Sequence, residues 1–90
     1  MSSFINELKE GRLKSINIDN VCEYDSESSM YIPLIEWCID ASYINFNGSE
    51  IHMDWDISSF SEYMELMDYI KEEEGKYKVE KTFGYFKLGI

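Results

Sequence analysis

The sequence predicts a small α+β domain, with an antiparallel sheet packed against one long helix and a short N-terminal helix. Two features support this: Asn47-Gly48 stands between two alternating runs, and a helical pattern with a capping signal follows. The 90 residues suffice for one domain, 1–90, and 44% hydrophobic content is typical of a packed core. We expect a hairpin at about 41–55, the long helix at about 59–74 and C-terminal strands at about 76–88.

The first predicted element is a short helix near the N-terminus. Ser3 can cap it, and Gly11 is well placed to end it. Between these residues, Phe4, Ile5 and Leu8 lie on one side of a helix of about two turns. This side is expected to pack against the core.

The region between this helix and the hairpin gives weaker signals. Ile16 and Ile18 alternate with polar neighbours and predict a short strand, whereas the polar segment 23–29 predicts a surface loop. Segment 30–46 is apolar enough to be buried. Pro33 fits either the start of a helix or an edge strand, and the sequence leaves both possibilities open.

The hairpin is the clearest local signal, because Asn-Gly is the preferred dipeptide of a two-residue type I′ turn. Such a loop places Tyr43 opposite His52 and Ile44 opposite Ile51, with Asn45 opposite Glu50. One face then belongs to the core and carries Ile44, Phe46, Ile51, Met53 and Trp55. The other face points to water and carries Tyr43, Asn45, Glu50, His52, Asp54 and Asp56.

The long helix is predicted to begin with a capping box formed by Ser59 and Glu62 and to end at Gly75. At 100° per residue, its apolar stripe comprises Phe60, Tyr63, Met64, Met67 and Ile70. The opposite side carries Glu62, Glu65, Asp68 and Glu72, with Tyr69 among them. After Gly75 the chain alternates as strand, and the phase changes at Gly84, which predicts a bulge or turn there.

Charge is distributed unevenly along the chain. The formal net charge is −10, and segment 15–70 contains no lysine or arginine while it carries twelve carboxylates. Direct binding of nucleic acid or of an anionic membrane is therefore not expected, because both depend on basic side chains. The basic residues lie near the two ends, and we expect the lysines of 76–88 to protect exposed strand edges.

No motif predicts an enzyme. His52 is the only histidine, and although Glu50 and Asp54 lie at strand spacing from it, a metal site usually needs about three supported ligands. A catalytic Ser/His/Asp or Cys/His arrangement would also need His52, and no nucleophile motif or glycine-rich phosphate loop accompanies it. We expect no enzyme activity, no metal and no cofactor.

Several features favour a cytoplasmic protein of a bacterial cell. The N-terminal residues lack the pattern of a secretion signal, and no apolar run is long enough to span a membrane. Cys22 and Cys38 are isolated and are expected to be free thiols in a reducing compartment. Low alanine, arginine and proline with abundant isoleucine, asparagine, lysine and tyrosine indicates an AT-rich bacterial or phage source.

In size, acidity and lack of chemical motifs the chain resembles two groups of small inhibitors, phage anti-defence proteins such as DNA mimics and anti-CRISPR proteins, and immunity proteins of nuclease toxins. The resemblance implies a non-catalytic inhibitor that blocks the basic nucleic-acid-binding groove of a nuclease or CRISPR effector. The acids and tyrosines of the two polar faces are the expected contacts: Tyr43, Glu50, Asp54, Asp56, Glu62, Glu65, Asp68, Tyr69 and Glu72. The alternative is a small interaction or homo-oligomeric assembly domain, such as a homodimer, whose acidity serves solubility.

Overall fold

The protein has the predicted α+β fold, seen in a computed structural model that describes residues 3–89, with side chains from Phe4 onward. Two helices and four strands follow one another along the chain, and the order of the strands in the sheet is β3-β2-β1-β4. The capping role predicted for the Ser3 side chain lies outside the described residues. The elements are α1 (Ser3–Leu8), β1 (Gly11–Asp25), β2 (Met30–Asn45), β3 (Glu50–Ile57), α2 (Phe60–Glu74) and β4 (Glu80–Leu88).

The sheet is mixed, so the prediction of a purely antiparallel sheet is wrong. Strands β1, β2 and β3 pair antiparallel, but β4 pairs parallel to β1. A parallel pair needs a long crossover, and α2 provides it by connecting β3 at one edge of the sheet to β4 at the other. The predicted C-terminal strand pair is also wrong, because 80–88 forms a single strand whose pairing continues through Gly84 without a register shift.

The first two strands are longer than the sequence suggested. They form a hairpin of 15 and 16 residues whose turn lies within the predicted loop 23–29. Strand β3 ends opposite Trp37, so the segment of β2 that contains Pro33 has a neighbour on one side only. Pro33 is therefore in an edge segment, where the missing N–H of proline is tolerated.

The core lies between the two helices and one face of the sheet. From β1 it takes Leu13, Ile16 and Ile18, and from the helices it takes Ile5, Leu8, Leu66 and Ile70. We call this side the helix side of the sheet. The opposite side is the outer face.

Helix α2 has the predicted bounds, but it is rotated relative to the predicted stripe. Its buried residues are Leu66, Tyr69, Ile70 and Glu73, whereas Phe60 and Met64 are 57% and 45% exposed. The buried residues follow the helical spacing of one face. The hydrophobic pattern does not reveal this face, because two of its four residues, Tyr69 and Glu73, are polar. Both are buried with hydrogen-bond partners in the interior.

The ends of α2 also differ from prediction. Ser59 is the N-cap, but its side chain makes no capping hydrogen bond and instead lies 2.9 Å from the hydroxyl of Ser61. The predicted capping box with Glu62 is therefore wrong. Gly75 ends the helix with a right-handed φ of −71°.

Candidate interaction surface

The hairpin between β2 and β3 has a longer loop than predicted. The side-chain oxygen of Asn45 accepts hydrogen bonds from the backbone N–H groups of Asn47 and Ser49, both at 3.0 Å. The backbone N–H of Asn45 in turn donates to the carbonyl of Ser49, so residues 46–49 form the loop. Gly48 adopts a left-handed φ of 81° within it. The side chain of Asn45 thus organises a wider turn than the two-residue type I′ turn.

The longer loop shifts the register by one residue and reverses the face assigned to β2. Tyr43 is opposite Ile51, where it is only 4% exposed, and Ser42 is opposite His52. The predicted Tyr43–His52 pair on the wet face is therefore wrong, and Tyr43 is a core residue. Phe46, predicted to be buried, lies in the loop and is 88% exposed.

The faces of β3 match the prediction. Ile51, Met53 and Trp55 pack against the core, while the outer face of β3 carries its polar residues. The register joins these to the outer-face residues of β2 and β1 in three rows. The rows are Ser15–Ser42–His52, Asn17–Asp40–Asp54 and Asp19–Cys38–Asp56.

Four aspartates therefore lie close together on the outer face. We call them the aspartate cluster: Asp19, Asp40, Asp54 and Asp56. Asp40 is directly opposite Asp54, and such like-charged cross-strand pairs are destabilising. Sequence reasoning missed Asp19 and Asp40, because only the correct register brings them beside the predicted residues Asp54 and Asp56.

His52 connects two outer-face residues of β2. Its Nε2 lies 2.8 Å from Oδ1 of Asp40, and its Nδ1 lies 2.9 Å from Oγ of Ser42. These contacts to the two ring nitrogens are the reverse of those in a hydrolase triad, in which the serine contacts Nε2 and the aspartate contacts Nδ1. Ser42 is also only 4% exposed, so its hydroxyl is not accessible to a substrate that it would have to attack. We interpret this row as a structural link between β2 and β3.

Cys38 lies within the aspartate cluster, next to Asp56. Burial raises the pKa of the Cys38 thiol, and a hydrogen bond to the Asp56 carboxylate raises it further, because the negative charge disfavours the thiolate. Cys22 is also a free cysteine, and it is buried. Neither cysteine forms a disulfide within the described residues.

Alkylation of Cys38 is expected to be slower at neutral pH than that of an ordinary exposed cysteine, because the thiolate is the reactive form and the raised pKa reduces its fraction. We expect Asp56→Asn to move the rate profile to lower pH and to speed the reaction severalfold. The measurement is iodoacetamide labelling against pH in a Cys22→Ala background. Asp68→Asn on α2 is the control, and an Asp56→Asn profile that coincides with that of the parent would contradict the prediction.

Glu50 has a basic partner. It forms an ion pair with Lys14, which lowers the pKa of Glu50 and raises the pKa of Lys14. Lys14 lies at a register shift near the start of β1. Glu50 therefore contributes less free negative charge than the aspartate cluster.

The predicted residues of α2 lie on the other side of the sheet. Asp68 and Glu72 are exposed, Glu62 and Glu65 are half-buried, and Glu72 lies 3.8 Å from Lys76. The helix acids and the aspartate cluster therefore form two separate surfaces.

Tyr69 is not an accessible anchor, because it is 5% exposed. Its hydroxyl donates to the carbonyl of Leu8 at 3.2 Å and lies 3.4 Å from Oε1 of Glu73. Burial and the neighbouring Glu73 carboxylate raise the pKa of Tyr69. Its role is to connect α2 to the C-terminal end of α1.

An apolar surface that the sequence did not predict lies at the far end of the sheet. On β4, Phe83, Tyr85, Phe86 and Leu88 are each more than two-fifths exposed. At the same end of the sheet, β2, which β1 separates from β4, exposes Met30, Ile32 and Ile35. Large exposed apolar patches on small proteins usually mark interaction sites.

Within residues 3–89, no group of three or more histidine, cysteine or acidic side chains is arranged to hold a metal ion. The helices of this part of the chain are too short or too polar to cross a bilayer. Comparison with protein-family models, with curated proteins and with solved structures gives no significant match.

Proposed function

We propose that the protein is a non-catalytic acidic inhibitor that acts in the bacterial cytoplasm and occupies the basic nucleic-acid-binding groove of a partner protein. The preferred partner is a nuclease or CRISPR effector, which makes the protein a phage anti-defence factor. The aspartate cluster on the uncovered outer face is the proposed contact surface. This differs from the site expected from sequence, since Tyr43 and Tyr69 are buried and the helix acids lie on the other side of the sheet.

One observation carries the proposal: Asp40 and Asp54 are directly opposite each other, with Asp19 and Asp56 in the next row. This arrangement costs stability, because it places like charges side by side. Neighbouring strands are about 4.8 Å apart and same-face residues about 6.5–7 Å apart, so the carboxylates form a dense two-dimensional array. Such an array can neutralise the lysines and arginines that would otherwise contact phosphates of a nucleic acid.

Removing one charge of the opposed pair is expected to stabilise the protein. We expect Asp54→Asn to raise the free energy of unfolding by about 0.2–1 kcal/mol, with a smaller gain at high salt where the repulsion is screened. Urea denaturation at low and high salt measures both effects. Asp68→Asn removes an equal charge from exposed α2 and serves as the control. A loss of stability in Asp54→Asn would show that Asp54 is held favourably and would remove the main support for the proposal.

Capture experiments test the function. Tagged protein is incubated with lysates of phage-infected and uninfected bacteria, washed at low and then high salt, and the bound proteins are identified by mass spectrometry. We expect recovery of a nuclease or CRISPR effector that is released as salt rises, because charged contacts are screened. Failure to recover such a protein, or recovery that salt does not change, would contradict the proposal.

Two matched triple variants locate the contact surface. The variant Asp40→Asn, Asp54→Asn, Asp56→Asn removes three charges from the outer face, and Glu62→Gln, Glu65→Gln, Asp68→Asn removes three from α2. We expect only the first to abolish capture. Loss in the helix variant alone would move the site to α2, whereas equal loss in both would indicate a dependence on net charge only.

A further inference from the structure

The outer face of the sheet has an acidic part and an apolar part that adjoin each other. The aspartate cluster forms the acidic part. Next to it, toward the turn between β1 and β2, Val21 of β1 is directly opposite Phe86 of β4, and Leu88 follows on the same face. Phe86 and Leu88 are 48% and 42% exposed. Large apolar side chains are therefore uncovered beside a group of carboxylates.

A groove of about 280 Å³ joins the two parts, and we call it the outer groove. Its lining includes three apolar residues and three polar ones, which are Val21, Phe86 and Leu88, then Glu36, Cys38 and Asp56. Asp56 belongs to the aspartate cluster and accepts a hydrogen bond from Cys38. A side chain that enters the groove would therefore meet an apolar surface and a carboxylate together.

The basic residues of β4 do not neutralise this face. Side chains alternate along a strand, so Lys81 and Lys87 lie on the side of β4 opposite to Phe86. The ammonium group of Lys81 donates to Glu74 of α2 at 2.8 Å. That of Lys87 lies 5.0 Å from the ring centroid of Tyr31. The outer groove is therefore next to carboxylates and faces away from these lysines.

The charge around the outer groove determines which kind of partner fits it. Two of its lining residues are acids, Glu36 and Asp56, and Asp19 lies in the same row as Asp56. In the part of the chain that the structure describes, no lysine or arginine lines this groove. A basic surface is attracted here, whereas a second copy of this acidic face is repelled. Arginine fits best, because its guanidinium can bind a carboxylate through two hydrogen bonds.

The geometry of the face favours a helix as the bound element. An extended segment would pair with a sheet edge, whereas helices pack on sheet faces, and both helices of this chain lie on the other side. A helix about 10 Å wide along β1 would also cover β2 and β4, each about 4.8 Å away. Asp40 is opposite Asn17 and Leu88 is opposite Glu23, six residues further along β1. That distance of about 20 Å corresponds to about 13 residues of helix.

We infer that the outer face binds an α-helix of the partner that carries basic side chains near its N-terminus and large apolar side chains about two turns later on the same side. The basic side chains contact the aspartate cluster, and the apolar ones enter the outer groove against Phe86 and Leu88. The positive end of the helix dipole favours this direction, because it brings the N-terminus to the carboxylates. The inference rests on the proposed function and deepens it by naming the element that the partner presents.

A synthetic peptide tests the inference. The probe is a helical peptide of alanine and glutamine with two arginines and, about two turns later, two leucines on the same side. At about ten times its Kd it leaves about a tenth of the sites free, so alkylation of Cys38 in a Cys22→Ala background should slow about tenfold. The control peptide has the same composition, with the leucines moved to the opposite side, and should protect Cys38 much less. Equal protection by the two peptides, or protection by neither, would overturn the inference.

Two phenylalanines of β4 provide matched variants. Phe86 lines the outer groove, whereas Phe83 lies on the helix side of the same strand and is 59% exposed. Phe86→Ser should weaken binding of the peptide about tenfold, measured by fluorescence anisotropy, and Phe83→Ser should leave it unchanged. Both side chains are about half exposed, so both variants are expected to fold, and circular dichroism checks this. Equal weakening in the two variants would reject the outer groove as the binding site.

The capture experiment separates this inference from the proposed function. Protection of Cys38 by the peptide, without capture of a nuclease or CRISPR effector from lysate, would support the helix-binding face and contradict the proposed function. Capture of such a protein that Phe86→Ser leaves unchanged would support the proposed function and overturn the inference.

Discussion

Replacement of Gly11 by alanine is expected to destabilise the protein by about 1–3 kcal/mol or more, because the backbone of β2 occupies the space that the new Cβ would need. That Cβ would overlap the carbonyl oxygen of Ile44, and a backbone atom cannot move away as a flexible side chain can. Gly11 is the first residue of β1 and is opposite Asn45, next to the turn that sets the hairpin register. A shift there would disturb the pairing of both strands.

The measurement is the urea midpoint of unfolding, with the slope compared between variants. Gly75→Ala is the control, since Gly75 has a right-handed φ and its nearest backbone contact to an added Cβ is 3.3 Å. We expect a much smaller change in this control. Equal midpoints for Gly11→Ala and the parent protein would contradict the close approach of the two strands.

Replacement of Glu73 by alanine is expected to cost about 1–3 kcal/mol, because it leaves the buried backbone N–H of Leu13 without an acceptor. Glu73 is 6% exposed, and its Oε1 accepts a hydrogen bond of 3.1 Å from the backbone N–H of Leu13. The same oxygen lies 3.4 Å from the hydroxyl of Tyr69. One carboxylate thus connects α2 to the start of β1.

Two variants separate this role from the effect of charge. Glu73→Gln keeps an acceptor oxygen at the same position and should lose much less stability than Glu73→Ala. Glu72→Ala removes a neighbouring exposed carboxylate 3.8 Å from Lys76 and should change stability by no more than about 0.5 kcal/mol. Equal costs for Glu73→Ala and Glu72→Ala would show that the buried hydrogen bonds contribute little.

Sequence reasoning was most accurate where a pattern depends on a single element. The alternation of β3 predicted its two faces correctly, because side chains of a strand alternate whatever the strand pairs with. The bounds of α2 followed from its apolar periodicity and from Gly75. The exposed face predicted for Asp54 and Asp56 is likewise correct, whereas the exposed face predicted for Tyr43 is wrong, because it depended on a turn that Asn45 controls.

By itself the sequence determined the α+β class, the faces of β3, the extent of α2 and the unneutralised acidity of segment 15–70. Only the tertiary structure decided the register of the hairpin, the rotation of α2 and the parallel pairing of β4 with β1. The physical reason is that these features depend on contacts between residues distant in sequence. A hydrogen bond from Leu13 to Glu73 joins residues 60 positions apart, and no local pattern encodes such a contact.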